Sequence, residues 1–175
     1  MIDATRAAAL RWLLLDVDGV LTNGRLYYTA DGESLKPFHV RDGLAIKLAR
    51  QAGLSVGLLS GRRSPPLERR AADLSLDVVL LGVGDKGKVF TDFLTEHQVQ
   101  ASDVAFIGDD LIDLPVLGRC GLALAPADAV AEVRERVDVV LSSRGGEGAV
   151  REAVELLLRA RGMWNEIVDR FLPEP

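Results

Sequence analysis

The chain has 175 residues, of which 48% are hydrophobic, and a formal net charge of −5. This length is typical of one domain with a sizeable core, and an acidic chain without a basic stripe is not expected to bind nucleic acid. The single cysteine, Cys120, excludes an intramolecular disulfide and fits a reducing compartment. No signal peptide or run as long as a membrane span is recognisable, so we expect a cytoplasmic protein with no membrane partner.

The first predicted element is a short apolar strand, Trp12–Leu15, that ends in two aspartates. An unbroken apolar run is typical of a strand buried on both faces. Asp16 and Asp18 follow it directly, and Gly19 comes next. Two carboxylates that meet at one point repel each other unless a cation lies between them, and oxygen ligands in small number suit Mg2+. The alternative is that these residues only make a turn at the end of the strand.

A β-hairpin is predicted after this strand, over about residues 23–40. Its turn dipeptides are Asn23-Gly24 and Asp31-Gly32, and its two short strands are expected at Arg25–Thr29 and Ser34–Val40. The insertion is too short for a cap domain.

The rest of the chain alternates strands with helices. A helix with Asp42 as its N-cap is expected to end near Gly53. The later strands are predicted at Leu54–Leu59, Val78–Leu81, Val104–Gly108, Leu122–Ala125 and Val137–Leu141. The helices between and after them are predicted at about 65–74, 86–98 and 127–136 and after Gly145-Gly146. This alternation predicts βαβ crossovers and therefore an α/β domain with a mainly parallel sheet, followed by a tail over residues 162–175.

Polar residues follow four of the predicted strands at their carboxyl ends, where sheets of this kind bind ligands. They are Asp16 and Asp18, Ser60 and Arg62, Lys86, and Asp109, Asp110 and Asp113. The aspartates form an oxygen-rich set suited to Mg2+. Lys86, Ser60 and the backbone amides near Gly61 offer positive charge and hydrogen-bond donors to a phosphoryl group. An aspartate can itself attack phosphorus to give an aspartyl-phosphate.

Together these motifs resemble the four motifs of the haloacid dehalogenase (HAD) superfamily. They are Asp16-Val17-Asp18-Gly19-Val20-Leu21-Thr22, Ser60-Gly61-Arg62, Lys86, and Gly108-Asp109-Asp110 with Asp113. More narrowly, the chain resembles the family of 3-deoxy-D-manno-octulosonate 8-phosphate phosphatases, a branch without a cap domain. The features shared with that family are the hairpin with Asp31-Gly32 and Lys36-x-Phe38, the Arg41-Asp42-Gly43 step, the segment from Gly108 to Pro115 and the segment from Gly145 to Glu152. The tail after Gly162 lies outside the resemblance, and Asn23 stands where Asp is expected.

The resemblance implies a HAD-like Rossmannoid three-layer fold and a Mg2+-dependent phosphatase acting on a phosphorylated keto-sugar acid. Asp16 is the implied nucleophile and a metal ligand. Asp18 is implied to protonate the leaving sugar oxygen and then to activate water, while its backbone carbonyl binds the metal. Asp109 completes the protein ligands, and Ser60 and Lys86 hold the phosphoryl oxygens.

Three further residues keep alternative roles. Asp113 is expected to hold either Lys86 or a metal-bound water. Asp110 either contacts a metal ligand without binding the metal itself or caps a helix. Arg62 either contacts a substrate carboxylate or forms a surface ion pair, and which of Arg62, Arg69 and Arg70 contacts the substrate is left open.

Several functions and an assembly state are compatible with these features. The eight-carbon sugar acid phosphate is favoured over a nine-carbon 9-phosphate, and a catalytically silent HAD-like assembly module is the alternative from another class. A signalling receiver domain is disfavoured because its paired acids and its phospho-acceptor lie on different strands. Without a cap, the pocket needs another cover, and we therefore expect a homotetramer. In it, the hairpins pair, and the Gly145-Gly146 turn and the tail with Trp164 and Phe171 reach a neighbour's site.

Overall fold

A six-stranded parallel sheet forms the centre of the protein, in a computed structural model that describes residues 2–30 and 32–173. In chain order the strands are β1 (Trp12–Leu15), β2 (Tyr27–Thr29), β3 (Gly32–Leu35), β4 (Ser55–Ser60), β5 (Val78–Leu81), β6 (Val104–Ile107), β7 (Leu122–Ala125) and β8 (Val139–Val140). The central sheet has the order β5-β4-β1-β6-β7-β8, with parallel neighbours throughout. Strands β2 and β3 form a separate antiparallel pair. The predicted parallel α/β fold with an inserted hairpin is confirmed.

Helices cover both faces of the sheet and make the structure three-layered. They are α1 (Ala4–Ala9), α2 (Val40–Gln51), α3 (Pro65–Leu74), α4 (Lys86–Glu96), α5 (Leu114–Leu117), α6 (Ala131–Arg134), α7 (Ala149–Ala160) and α8 (Trp164–Asp169). One hydrophobic cluster joins the sheet to α1, α2, α3, α7 and α8, and a second joins it to α4, α5 and α6. Among the described residues, none of these helices has the length and apolarity that crossing a bilayer requires.

Strand β1 contributes to both clusters because its side chains alternate between the two faces. Leu13 and Leu15 pack with the first cluster, whereas Trp12 and Leu14 pack with the second. The Trp12 ring meets the Phe93 ring edge-on, with centroids 5.0 Å apart. Every residue of β1 is buried, so the strand holds the aspartates after it on a rigid support.

The start of α2 differs from the prediction. The helix begins at Val40 with His39 at its N-cap, and Asp42 lies inside the first turn. The Asp42 side chain is buried and accepts a hydrogen bond of 2.7 Å from the backbone N–H of Arg151, in the first turn of α7. Because the first N–H groups of a helix lack partners within it, Asp42 satisfies one for α7 rather than for α2.

The second hairpin strand is also shorter than predicted, since β3 ends at Leu35 rather than near Val40. Pro37 comes soon after it and has no N–H to donate to a strand ladder. Of the turn dipeptide Asp31-Gly32, Asp31 lies outside the described residues. Gly32 has φ of 108°, a left-handed conformation that glycine adopts readily.

Candidate active site

The candidate site lies at the carboxyl ends of β1, β4 and β6. Strands β4 and β5 lie on one side of β1 and strands β6 to β8 on the other, so the strand order reverses at this point. Asp16 follows β1, and its backbone N–H donates to the carbonyl of Ile107 at the end of β6, at 2.9 Å. Ser60 is the last residue of β4. Lys86 is the first residue of α4, which follows β5. The sheet therefore brings together residues that are far apart in sequence.

Lys86 lies between two carboxylates in the interior of the site. Its Nζ is 2.8 Å from Oδ1 of Asp16 and 2.6 Å from Oδ1 of Asp113. Burial lowers the pKa of Lys86, but the two neighbouring carboxylates outweigh it, so the pKa is raised and the ammonium stays charged. Of the two roles considered for Asp113, the structure shows the contact with Lys86.

Asp113 also organises the loop that carries Asp109. Its Oδ2 accepts hydrogen bonds from the backbone N–H groups of Asp109 at 2.9 Å and Asp110 at 3.2 Å. The Asp110 side chain accepts from the N–H of Leu111 at 2.7 Å and caps the short 3-10 turn that begins there. Asp110 thus serves the loop backbone, the capping role considered for it.

Three carboxylates, of which Asp16 and Asp113 are buried and Asp109 is half-buried, form a group that fits a divalent cation. Ligand atoms of Asp16, Asp109 and Asp113 all lie within 4.8 Å of one another. Within the described residues, Oδ1 of Asp109 is buried and has no hydrogen-bond partner. Since Asp113 already serves Lys86 and two amides, Asp16 and Asp109 are the residues free to hold a metal. Oxygen donors of this kind suit Mg2+.

Burial and mutual repulsion raise the pKa values of two of these carboxyl groups, so a cation would stabilise their ionised forms. Burial, followed by the charge of Asp16, raises the pKa of Asp109 to about 8. Burial, followed by the charge of Asp113, raises the pKa of Asp16 to about 6. Gly19 makes the close packing possible, because a Cβ there would lie 2.0 Å from Oδ2 of Asp109 and its φ is +89°.

The hairpin adds two charged residues that the sequence analysis did not assign to the site. Lys36 Nζ contacts Oδ1 of Asp18 directly and lies 2.9 Å from Oε1 of Glu33. The Lys36 side chain is 0% exposed and that of Glu33 is 6% exposed. The only sequence signal was the Lys36-x-Phe38 pattern, which contributed to the family resemblance without a role.

Arg62 lies at the mouth of the site beside the same hairpin. Its Nε is 3.7 Å from Oδ2 of Asp18, and its guanidinium hydrogen-bonds the Tyr28 hydroxyl and lies 3.8 Å from Glu33. Ser60 is buried below it and accepts a hydrogen bond of 3.3 Å from the backbone N–H of Arg62. Gly61, between them, is exposed. Of the residues predicted to bind the substrate, Arg62 and Lys86 contact the acids, and Ser60 and Gly61 directly precede Arg62 at the end of β4.

Of the other two arginines considered, Arg69 is highly exposed and pairs with Asp73 at 3.1 Å. Arg70 lies with its guanidinium carbon 5.6 Å from the centre of the Phe38 ring, below the hairpin. Of these three arginines, Arg62 is the one that the structure places beside an acid of the site.

Two segments expected to reach a neighbouring subunit are engaged within their own chain. The Gly146 N–H donates to the carbonyl of Val20 at 2.9 Å, and a Cβ on Gly145 would lie 1.8 Å from the carbonyl oxygen of Gly19. The glycine turn thus supports the loop after β1. Trp164 is buried against α7, whereas Phe171 is exposed.

Comparison with known proteins identifies the family. A family model described as haloacid dehalogenase-like hydrolase matches residues 70–153. A 3-deoxy-D-manno-octulosonate 8-phosphate phosphatase, KdsC, from Haemophilus influenzae is 47% identical over 153 residues, which cover 87% of this chain and 85% of the relative.

Two solved structures share the fold over nearly the whole chain. The cobalt-bound deoxy-D-mannose-octulosonate 8-phosphate phosphatase from Haemophilus influenzae superposes with a TM-score of 0.88 at 45% identity, covering 91% of this chain and 93% of that one. The 3-deoxy-D-manno-octulosonate 8-phosphate phosphatase from Moraxella catarrhalis was solved with magnesium, phosphate and the sugar acid KDO (3-deoxy-D-manno-octulosonate). It superposes with a TM-score of 0.93 at 30% identity, covering 97% of each chain. The chain therefore belongs to the haloacid dehalogenase-like hydrolases, within the phosphatase family of these relatives, and is a phosphoric monoester hydrolase.

Proposed function

We propose that this chain is a Mg2+-dependent phosphatase that hydrolyses 3-deoxy-D-manno-octulosonate 8-phosphate to the free sugar acid and phosphate. The observation that carries the proposal is the buried group in which Lys86 touches Asp16 while Asp109 keeps an unpaired oxygen among the described residues. Two relatives are named for this activity, and one of them was solved with magnesium, phosphate and KDO.

The first chemical step is transfer of the phosphoryl group to Asp16. Its carboxylate attacks phosphorus, the bond between phosphorus and the sugar oxygen breaks, and Asp18 gives its proton to that oxygen. Lys86 balances negative charge on Asp16 and on the phosphoryl oxygens, and the Ser60 hydroxyl donates a hydrogen bond to a phosphoryl oxygen. Asp16 and Asp109 would hold Mg2+, which would neutralise part of the negative charge of the carboxylates and of the phosphoryl group.

The second step regenerates the enzyme. Asp18, now a carboxylate, accepts a proton from a water molecule as that water attacks phosphorus. The bond between phosphorus and the Asp16 oxygen breaks, which releases inorganic phosphate and restores the Asp16 carboxylate. The same residue thus serves as acid and then as base, and the residues return to their starting protonation states.

Arg62 is placed to bind the carboxylate of the sugar acid. Among the described residues, Nε of Arg62 and Oδ2 of Asp18 are buried atoms without hydrogen-bond partners. The Arg62 guanidinium is part exposed and lies 3.7 Å from the general acid, so it can offer its N–H groups to a carboxylate on the leaving group. We therefore assign recognition of the sugar acid carboxylate to Arg62.

Assembly is the second part of the proposal. Apolar side chains of the hairpin stay exposed in the single chain, namely Leu26, Tyr27, Tyr28 and Leu35. A two-stranded ribbon is marginal alone, and such a patch is typical of an interaction site. We propose a homotetramer in which paired hairpins cover the pockets. A monomer with full activity in light scattering at the assay concentration would contradict it.

A phosphate-release screen tests the activity. The panel contains eight-carbon and nine-carbon keto-sugar acid phosphates together with neutral sugar phosphates, each assayed with Mg2+ and with a chelator. We expect the eight-carbon acid phosphate to give the highest kcat/KM and the chelator to abolish turnover. Preference for the nine-carbon acid would move the assignment to that substrate, and no activity on any acidic sugar phosphate would refute it.

A further inference from the structure

Lys36 has no part in the mechanism above, although it touches one of its central residues. The side chain is fully buried, and its Nζ contacts Oδ1 of Asp18. Its other partner, Glu33, lies on the same hairpin at 2.9 Å. A buried lysine ammonium is destabilising unless it is paired and hydrogen-bonded; here the Glu33 carboxylate lies beside it, and Asp18 accepts a hydrogen bond from it.

The local sequence explains how the hairpin delivers this ammonium. Strand β3 ends at Leu35 and Pro37 cannot extend it, so Lys36 lies where the chain turns from the hairpin towards α2. Glu33 fixes the ammonium from the hairpin side. With Asp18 and Arg62, the two hairpin residues form a cluster of two acidic side chains and two cations.

Asp18 has two cations beside it, and Lys36 is the closer of them. It follows the buried strand β1 by three residues and precedes Gly19, which has a left-handed backbone. Of the two cations near it, Lys36 is in direct contact and buried, whereas Arg62 is 3.7 Å away and its side chain is 40% exposed. With Oδ1 held by Lys36, Oδ2 is the oxygen that has no hydrogen-bond partner among the described residues, with Arg62 Nε 3.7 Å away.

We propose that Lys36 is a positioning residue for catalysis: it holds Asp18 by one oxygen so that the other faces the departing sugar oxygen. The inference rests on the proposed function, since it takes Asp18 as the proton donor. A misplacement of about 1 Å can cost about 10²-fold in rate, and general acid help is worth about 10²–10⁴-fold. The loss depends on the leaving group, because an aryl oxygen that is stable as an anion departs without a proton.

The test compares two substrates in the full-length chain. The variant is Lys36→Met, which keeps most of the length and removes the charge, and the control is Lys47→Met, on the exposed side of α2. The substrates are the sugar acid phosphate and para-nitrophenyl phosphate, and the quantity measured is kcat/KM. This ratio covers only the steps up to phosphoenzyme formation, so the later hydrolysis of the phosphoenzyme does not affect it.

We expect Lys36→Met to lower kcat/KM by about 10²-fold on the sugar phosphate and by only a few-fold on the aryl phosphate. Lys47→Met leaves both values unchanged. Equal losses on the two substrates would show that Lys36 only anchors the hairpin, and no loss on either would show that it is dispensable; both results overturn the role alone. A wild-type protein inactive on both substrates would overturn the proposed function and this role with it.

A second variant keeps the test valid if Lys36→Met does not fold. That substitution leaves the Glu33 carboxylate buried beside Asp18, which is destabilising. The double variant Glu33→Gln/Lys36→Met removes both charges and keeps similar volumes. It should show the same selective loss on the sugar phosphate, and an unselective loss in a folded double variant overturns the proposal.

Discussion

Replacing Asp113 by asparagine should destabilise the protein although the shape of the side chain is kept. Asp113 is fully buried and accepts from three donors: Lys86 Nζ on Oδ1, and the amides of Asp109 and Asp110 on Oδ2. An asparagine has one acceptor oxygen, so its NH2 group must face either the ammonium or the two amides. In both orientations at least one buried donor loses its partner.

The magnitude follows from these contacts. Leaving a buried donor unpaired costs about 1–3 kcal/mol. Removing one partner of a buried ion pair costs about 3–5 kcal/mol, but Lys86 keeps Asp16 at 2.8 Å, so only part of that cost applies. Less repulsion on Asp16 and Asp109 offsets some of the loss. We expect the free energy of unfolding to fall by about 2–4 kcal/mol, or Tm by roughly 5–15 °C for a chain of this size.

Thermal and denaturant unfolding with saturating Mg2+ measures this effect, and Asp110→Asn is the matched control. Asp110 makes a single capping contact to Leu111, and asparagine caps about as well as aspartate. The control should therefore change the free energy of unfolding by less than about 0.5 kcal/mol. A Tm for Asp113→Asn within about 2 °C of the control would refute this prediction. It would show that the Asp113 carboxylate is not needed to hold Lys86 and the loop of Asp109 and Asp110 together.

Three further predictions concern chemistry and charge. Asp16→Asn should abolish turnover in a folded protein, whereas Asp18→Asn should slow kcat/KM on the sugar phosphate by about 10²–10⁴-fold; near-normal activity of Asp16→Asn would refute the mechanism. Arg62→Ala should lower kcat/KM more on the acidic sugar phosphate than on its neutral counterpart, and equal losses would remove Arg62 as the carboxylate reader. The pKa values of Asp109, about 8, and Asp16, about 6, lie above their ordinary values, so the native state binds more protons than the unfolded state. Metal-free protein should therefore lose stability as the pH rises from about 4 to about 8, and Mg2+ should restore it; melting curves that stay flat over this range in a chelator would contradict the prediction.

The fold was predictable because its signals are local and repeated. The strand Trp12–Leu15 was predicted with the bounds that the structure has, since four apolar residues before an Asp-x-Asp-Gly turn fix both ends. The start of α2 was not, because Asp42 is a good capping residue by sequence but its partner, Arg151, is 109 residues away. No local rule distinguishes a residue that caps its own helix from one that caps another.

The inner part of the site was predictable for a related reason. Parallel strands that alternate with helices bring their carboxyl ends to one edge, so Asp16, Ser60, Lys86 and Asp109 could be grouped without coordinates. The hairpin residues could not. A lysine in a short hairpin normally faces solvent, and only the fold of the hairpin over the sheet edge shows that Lys36 is buried against Asp18.

The inner and outer parts of the site differ in charge, and from this difference we infer different functions for them. In the inner part, the carboxylates of Asp16, Asp109 and Asp113 face the single ammonium of Lys86, so negative charge remains uncompensated when all are ionised. Such a group must take up a cation before it can tolerate a phosphate dianion. The outer part places two acidic side chains, Asp18 and Glu33, beside two cations, Lys36 and Arg62. In the proposed mechanism, the metal and the phosphoryl group therefore bind at the sheet edge, whereas Lys36 and Arg62 position the proton donor and the sugar acid.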